Sequence, residues 1–313
     1  MTERGCIGWY TKLLVEIISK LGPEYVAHGI SYAGHGVGRS KVVGESAPNK
    51  ARVTRSFPWT IQGQVDHKID YICKLLERYR RSRNCQIEII FVAHSIGSHM
   101  VQRICLLRPD LLSITKSVVH LMPFIRFAPS LRSQRLPISV IAHIPKKFSV
   151  HILKKLSNLV RKFSFQQTFN LLSDEVKCPE GRVLAACLVR DPEMAGNFLS
   201  LGVEEVRDLP EARFDVEAMK VINQKSPIYI LLCGGPDQWA PHEIFQEFHN
   251  NQRKAVPGSS AHLFVNIKYL EELVHGFIVE PSMTPPVVEF IVKSINGAET
   301  PSIHAKYFGR SRL

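Results

Sequence analysis

The sequence predicts an α/β fold, a mostly parallel, doubly wound sheet interrupted by a basic helical insertion. Three observations predict it. Residues 87–92 (IEIIFV) form a near-continuous apolar run, the composition of a parallel strand buried on both faces. A sharp turn and a helical pattern (SHMVQRICLL) follow directly and stop at Pro109. Further along, apolar runs alternate with helical patterns until a Lys- and Arg-rich stretch over 123–215 breaks the alternation.

The elements follow in order. Residues 9–20 (WYTKLLVEIISK) space their apolar side chains as one helix face does, and Gly22-Pro23 ends the pattern. Tyr25 to Ser31 reads as a short β-type run closing in the loop Ala33-Gly34-His35-Gly36, and residues 60–82 read as an amphipathic helix with a basic end. After 87–92, strands are predicted at 117–121, 228–233 and 263–267, with helices near 241–250 and 285–296. Within the insertion, amphipathic helices are predicted near 146–163 and 191–201. The chain thus divides into a first core part (1–122), a cap (123–215), a second core part (216–296) and a polar, basic tail (297–313) expected to fray.

Composition narrows the function classes. With 313 residues, 45% hydrophobic and 22% charged, the chain is long enough for one large domain with an insertion, too polar for a multi-span membrane protein and too apolar for a disordered one. No apolar run reaches the ~18 residues of a membrane span, and the N-terminus lacks the pattern of a secretory signal, so no export is expected. The formal charge of +12 favours an anionic partner, a phospholipid surface, an acidic protein or nucleic acid. Nucleic acid is disfavoured because no binding motif accompanies the charge. Seven Cys without a CxxC pair or zinc-type spacing imply free thiols, a reducing compartment and no metal site.

The chemistry centres on Ala93-His94-Ser95-Ile96-Gly97, which matches the nucleophile elbow GxSxG of the α/β-hydrolase fold except for Ala at its first glycine. Such an elbow holds the serine in a strained turn above the sheet, and the residues two before and two after must be small for strand and helix to pass closely. The N–H of Ile96, opening the helix, would face the oxyanion of a tetrahedral intermediate. The alternative reading of Ser95 is an ordinary helix N-cap. In this fold a carboxylate after a late strand and a histidine after the last one complete the triad. Asp237 follows the strand ending at Cys233, and His275 follows it by 38 residues. Asp237 also reads as a turn or helix cap ahead of Pro241. His242 rivals His275 but lies too close in sequence to Asp237. His94, His99, His120, His143 and His262 read as structural or surface residues, and Asp174, Asp191 and Asp208 fall in the cap.

The cap carries Arg126, Arg132, Arg135, Lys146, Lys147, Lys154, Lys155, Arg161 and Lys162 among Leu, Ile, Val and Phe. That pattern fits an interfacial helix on an anionic phospholipid surface and equally a solvated basic face on a lid.

These residues resemble the lipid droplet-associated hydrolases. The resemblance rests on Trp9-Tyr10, Ser31-Tyr32-Ala33-Gly34-His35, the elbow, Leu121-Met122-Pro123-Phe124-Ile125, Ala128-Pro129-Ser130, Gly235-Pro236-Asp237-Gln238-Trp239-Ala240-Pro241 and Val274-His275-Gly276-Phe277. It implies a serine esterase or lipase-like protein on the cytosolic surface of the lipid droplet and endoplasmic reticulum. Its substrates would be neutral lipid esters, sterol esters or acylglycerols, its anchor the cap, and its triad Ser95, Asp237 and His275, with no cofactor. The family's pattern places a strand and a Pro-Gly-Asn-Pro-Gly loop before the first helix, and only Gly5 remains of that loop here. Gly5 is therefore the expected second oxyanion donor, N-terminal strand is expected to be missing and activity to be impaired. Gly235-Pro236 is expected to shift the acid loop slightly. The competing expectation is a lipid-droplet surface protein of lipid storage that keeps the fold with little or no turnover.

Overall fold

A computed structural model describes residues 6–35, 60–82, 86–125, 151, 155–172, 176–209, 213–246 and 265–297. Within them four strands form one parallel sheet in the order β1 (Ile89–His94), β2 (Thr115–Leu121), β3 (Ile228–Cys233), β4 (Val265–Leu270). Each strand lies beside its predecessor. All four therefore end on the same edge of the sheet, where ligands of open α/β folds bind.

The helices cover both faces. On one side α3 (Ile96–Leu107) packs on β1, with α2 (Ile61–Ser82) and α8 (Arg213–Asn223) against it. On the other, α9 (Thr284–Ile295) lies on β2 and against α1 (Thr11–Leu21). Between these layers β3 is buried along its whole length and β2 is buried except at Lys116, as a strand covered on both faces must be. A short α4 (Pro109–Ser113) links α3 to β2. A 3₁₀ turn, Cys6–Tyr10, leads into α1.

Two expectations need correction. β1 is not buried on both faces: Val92 is 37% exposed, and β1 is one of the two edge strands of the sheet among the described residues. Residues 25–31 join no ladder among the described residues. Tyr25 and Ile30 pack against the core, and the His28 ring bonds the Tyr79 hydroxyl of α2 at 2.9 Å, so the run is held by side chains instead.

Three helices of the insertion are described, α5 (Phe165–Leu171), α6 (Pro179–Arg190) and α7 (Pro192–Asp208). Sequence periodicity found α7 but not α5 or α6, and of the helix predicted near 146–163 the described residues 155–160 are helical. Asp191 caps α7 by accepting from Glu193 N and Met194 N, which disposes of it as a catalytic acid. α7 is tied to the core at two points. Glu204 Oε1 accepts the Ile61 N–H at 3.0 Å, and Asn197 Nδ2 donates to the Ala33 carbonyl at 3.1 Å. Gln64 completes the grip on Ala33, bonding both its N–H and its carbonyl.

Candidate active site

Ser95 sits between β1 and α3 with φ 52° and ψ −128°, a conformation unfavourable for a residue with a Cβ. It is held there by backbone on both sides. Its N–H donates to Leu121 O at 3.0 Å, and its carbonyl accepts from Ser98 N and Phe124 N. Met122, at φ 40°, is the other described non-glycine residue at positive φ, and it lies at the end of the adjacent strand. Strain is thus stored on the edge where the serine is displayed.

The small-residue requirement can be read directly. A Cβ built on Gly97 would lie 3.8 Å from the Ala93 Cβ, an ordinary contact. Ala93 therefore fits the elbow without clash, whereas a longer side chain at 93 would run into α3.

The hydroxyl of Ser95 makes no capping bond to α3. It lies instead 2.9 Å from His275 Nε2, and His275 Nδ1 lies 2.8 Å from Asp237 Oδ2. The structure thus brings together Ser95, His275 and Asp237 across 180 and 38 residues of sequence separation. Asp237 is only 6% exposed, yet its carboxyl is held below the ordinary range. Burial pushes it up, and bonds from His275 and from the N–H groups of Trp239 (2.8 Å) and Ala240 (3.1 Å) more than offset that. The Cys233 thiol adds a longer contact to Oδ2 at 3.5 Å. The acid loop leaves β3 at Gly234, where a Cβ would come within 2.3 Å of the Glu271 Cα, so only glycine fits. Gly235-Pro236 does not keep Asp237 from its partner.

The rivals sit elsewhere. His242 Nε2 donates to the Cys233 carbonyl, and its ring meets Tyr269 edge-on. His99 and His120 are buried in α3 and β2. Ile96 opens α3, so its N–H has no acceptor within the helix. Gly5, His143, His262 and Asp174 lie outside the described residues, as do Arg126 to Lys154 of the basic set. No cluster of metal-ligating side chains occurs among the described residues.

Sequence reasoning assigned His94 no task, and the structure places it against the triad. Its Nε2 lies 2.9 Å from the His275 carbonyl and its Nδ1 2.6 Å from the Tyr10 hydroxyl. Its position next to Ser95 was the only signal in the sequence.

A parallel sheet covered on both faces, with a strained serine on its carboxyl edge and a histidine and a carboxylate on the two loops beyond it, defines an α/β-hydrolase. The chain belongs to the lipid-droplet associated hydrolase family, whose sequence profile matches residues 4–278. No curated protein matches it in a sequence search. Among solved structures it is similar to a serine hydrolase from the polyaromatic hydrocarbon-degrading bacterium Cycloclasticus zankles, at 10% identity and TM-score 0.52, covering 94% of this chain and 86% of that one. It is also similar to the meta-cleavage product hydrolase CumD of Pseudomonas fluorescens IP01, at 13% identity and TM-score 0.49, covering 94% and 89%. At such identity the likeness is one of fold.

Proposed function

We propose that the protein is a serine esterase of neutral lipid esters, sterol esters or acylglycerols, working at the surface of lipid droplets and the endoplasmic reticulum. The hydrogen-bonded series Ser95 Oγ, His275 and Asp237 carries this reading. His275 Nε2 takes the serine proton as Oγ attacks the ester carbonyl. Asp237 holds Nδ1–H toward itself and stabilises the imidazolium that forms. The oxyanion forms beside the Ile96 N–H. Collapse of the tetrahedral intermediate expels the alcohol with the proton from His275. Water, deprotonated by the same ring, then releases the fatty acid.

The surface reading rests on the segment 155–172. Leu156, Leu159, Phe163, Phe165 and Leu171 are 41–74% exposed beside exposed Lys155, Arg161 and Lys162. An apolar set rimmed by cations suits a phospholipid monolayer over neutral lipid. None of the described helices is long and apolar enough to cross a membrane.

The test is fluorophosphonate labelling of the wild type and of Ser95→Ala, followed by turnover of emulsified cholesteryl oleate and triolein. Ser95-dependent labelling and fatty-acid release support the esterase. Labelling without release redirects the substrate, and no labelling of the wild type leaves the droplet-surface protein of lipid storage as the reading.

A further inference from the structure

Three parts of the fold meet behind the triad histidine. The Cys6–Tyr10 turn packs on the turn Phe277–Val279, which begins two residues after His275, and on cap helix α6. The fit to α6 is close: a Cβ on Gly181 would stand 2.7 Å from the Trp9 ring, and one on Gly8 would stand 2.9 Å from Leu184 Cδ1. From the same turn the Tyr10 hydroxyl reaches His94.

Donor and acceptor roles follow from chemistry. The His275 carbonyl can only accept, so His94 must carry its proton on Nε2 and donate there. Nδ1 is then bare, and Tyr10 must donate to it. The ring also stands edge-on to Phe277, with centroids 5.3 Å apart at 84°, which fixes its plane. Burial, with the neighbouring His275 acting in the same direction, lowers the His94 pKa to about 3 and keeps the ring in this neutral form.

We infer that Tyr10 and His94 are positioning residues for the triad base, acting on the His275 backbone, and that cap helix α6 clamps the turn that carries Tyr10. The His94 ring also stands against the His275 imidazole, with centroids 5.1 Å apart. The effect of Tyr10, His94 and α6 is to fix where the loop after β4 presents the imidazole to Ser95. The inference rests on the esterase reading, and through Trp9 and Gly181 it makes triad alignment depend on how the cap is seated.

The experiment compares Tyr10→Phe, His94→Phe, His94→Gln and Gly181→Ala with the wild type, using hydrolysis of a soluble p-nitrophenyl ester and the imidazole ¹⁵N shifts of His275. A misplaced base costs turnover rather than binding, so kcat should fall about 100-fold in His94→Phe with KM within about threefold. Loss of the one hydroxyl in Tyr10→Phe should cost about fivefold. His94→Gln, whose amide offers a donor and an acceptor on one plane, should recover most of the loss. Gly181→Ala, which must push Trp9 aside, should lower kcat in the same sense as Tyr10→Phe. The His275 ¹⁵N shifts should move in every variant that loses kcat. Equal kcat and unmoved shifts in Tyr10→Phe and His94→Phe overturn the positioning role, and an unaffected Gly181→Ala overturns the clamp. A wild type that neither labels nor turns over sinks the esterase reading instead, and positioning is then decided on the His275 shifts alone.

Discussion

The acid loop and the segment 155–172 spend their side chains in opposite ways. From Gly234 to Ala240 nearly every group serves one carboxylate: a glycine that lets the backbone pass, two N–H groups and a thiol on Asp237, and an imidazole beyond. From Lys155 to Leu171 the local helix is well made, with a capping box between Ser164 and Gln167, yet its large apolar side chains face outward. The first region is finished by the chain itself. The second leaves Leu156, Leu159, Phe163, Phe165 and Leu171 exposed. On the proposed function, the preorganised polar groups serve chemistry and the exposed apolar ones attachment, so the two tasks would be separated along the fold.

The largest effect should come from breaking the finished region. Asp237→Asn keeps an oxygen for the Trp239 and Ala240 N–H groups but turns the histidine to the wrong tautomer, so kcat for ester hydrolysis should fall about 10⁴-fold. Circular dichroism should show an unchanged fold. A loss below about tenfold would mean that the loop's hydrogen bonds serve structure alone.

Acid should come next. His35 and His99 are lowered to about 4 and His94 and His120 to about 3, in each case chiefly by burial. Below the ordinary histidine value the unfolded chain binds protons that the folded chain refuses, so the stability these neutral rings allow is complete above about pH 6.5 and drains away as pH falls toward their folded values. Each ring that takes up a full proton on unfolding costs up to about 1.4 kcal/mol per pH unit over that window. Urea midpoints should therefore drop steeply between pH 7 and pH 5, and a flat profile would contradict the buried neutral state. His120 sharpens the point. It is fully buried in β2, and neither ring nitrogen has a hydrogen-bond partner among the described residues. His120→Leu should raise stability by roughly 1–2 kcal/mol by removing an unsatisfied polar group.

The sequence carried much of this. IEIIFV, the elbow and the strand–loop–acid order were legible because each depends on local pattern: an apolar run, although Val92 in it stays exposed, a small-Ser-small turn, a chain order. The helices α5 and α6 were not, since α5 is only 7 residues long and α6 opens on Pro179-Glu180-Gly181-Arg182 and buries only the small residues Gly181 and Ala186, which give a weak apolar stripe. Tyr10 and His94 escaped for a different reason. Their task is set by the carbonyl of a residue 181 positions away from His94, and no local periodicity encodes that meeting.

The smallest expected change in stability tests the outward-facing segment. Leu159 and Leu171 are 51% and 74% exposed, so unfolding uncovers only the smaller part of each. Replacing both by Ser should shift the unfolding free energy by less than about 0.5 kcal/mol, the usual range for surface substitutions, and leave hydrolysis of a soluble ester unchanged. Flotation with artificial droplets is where the pair should tell. Removing two leucines from an interfacial face gives up about 1.5–3 kcal/mol each if they are buried in lipid, enough to strip most of the protein from the droplet fraction. If the double variant floats like the wild type while unfolding earlier, these side chains support the cap from within, and the contrast between a finished site and an open surface fails at its second half.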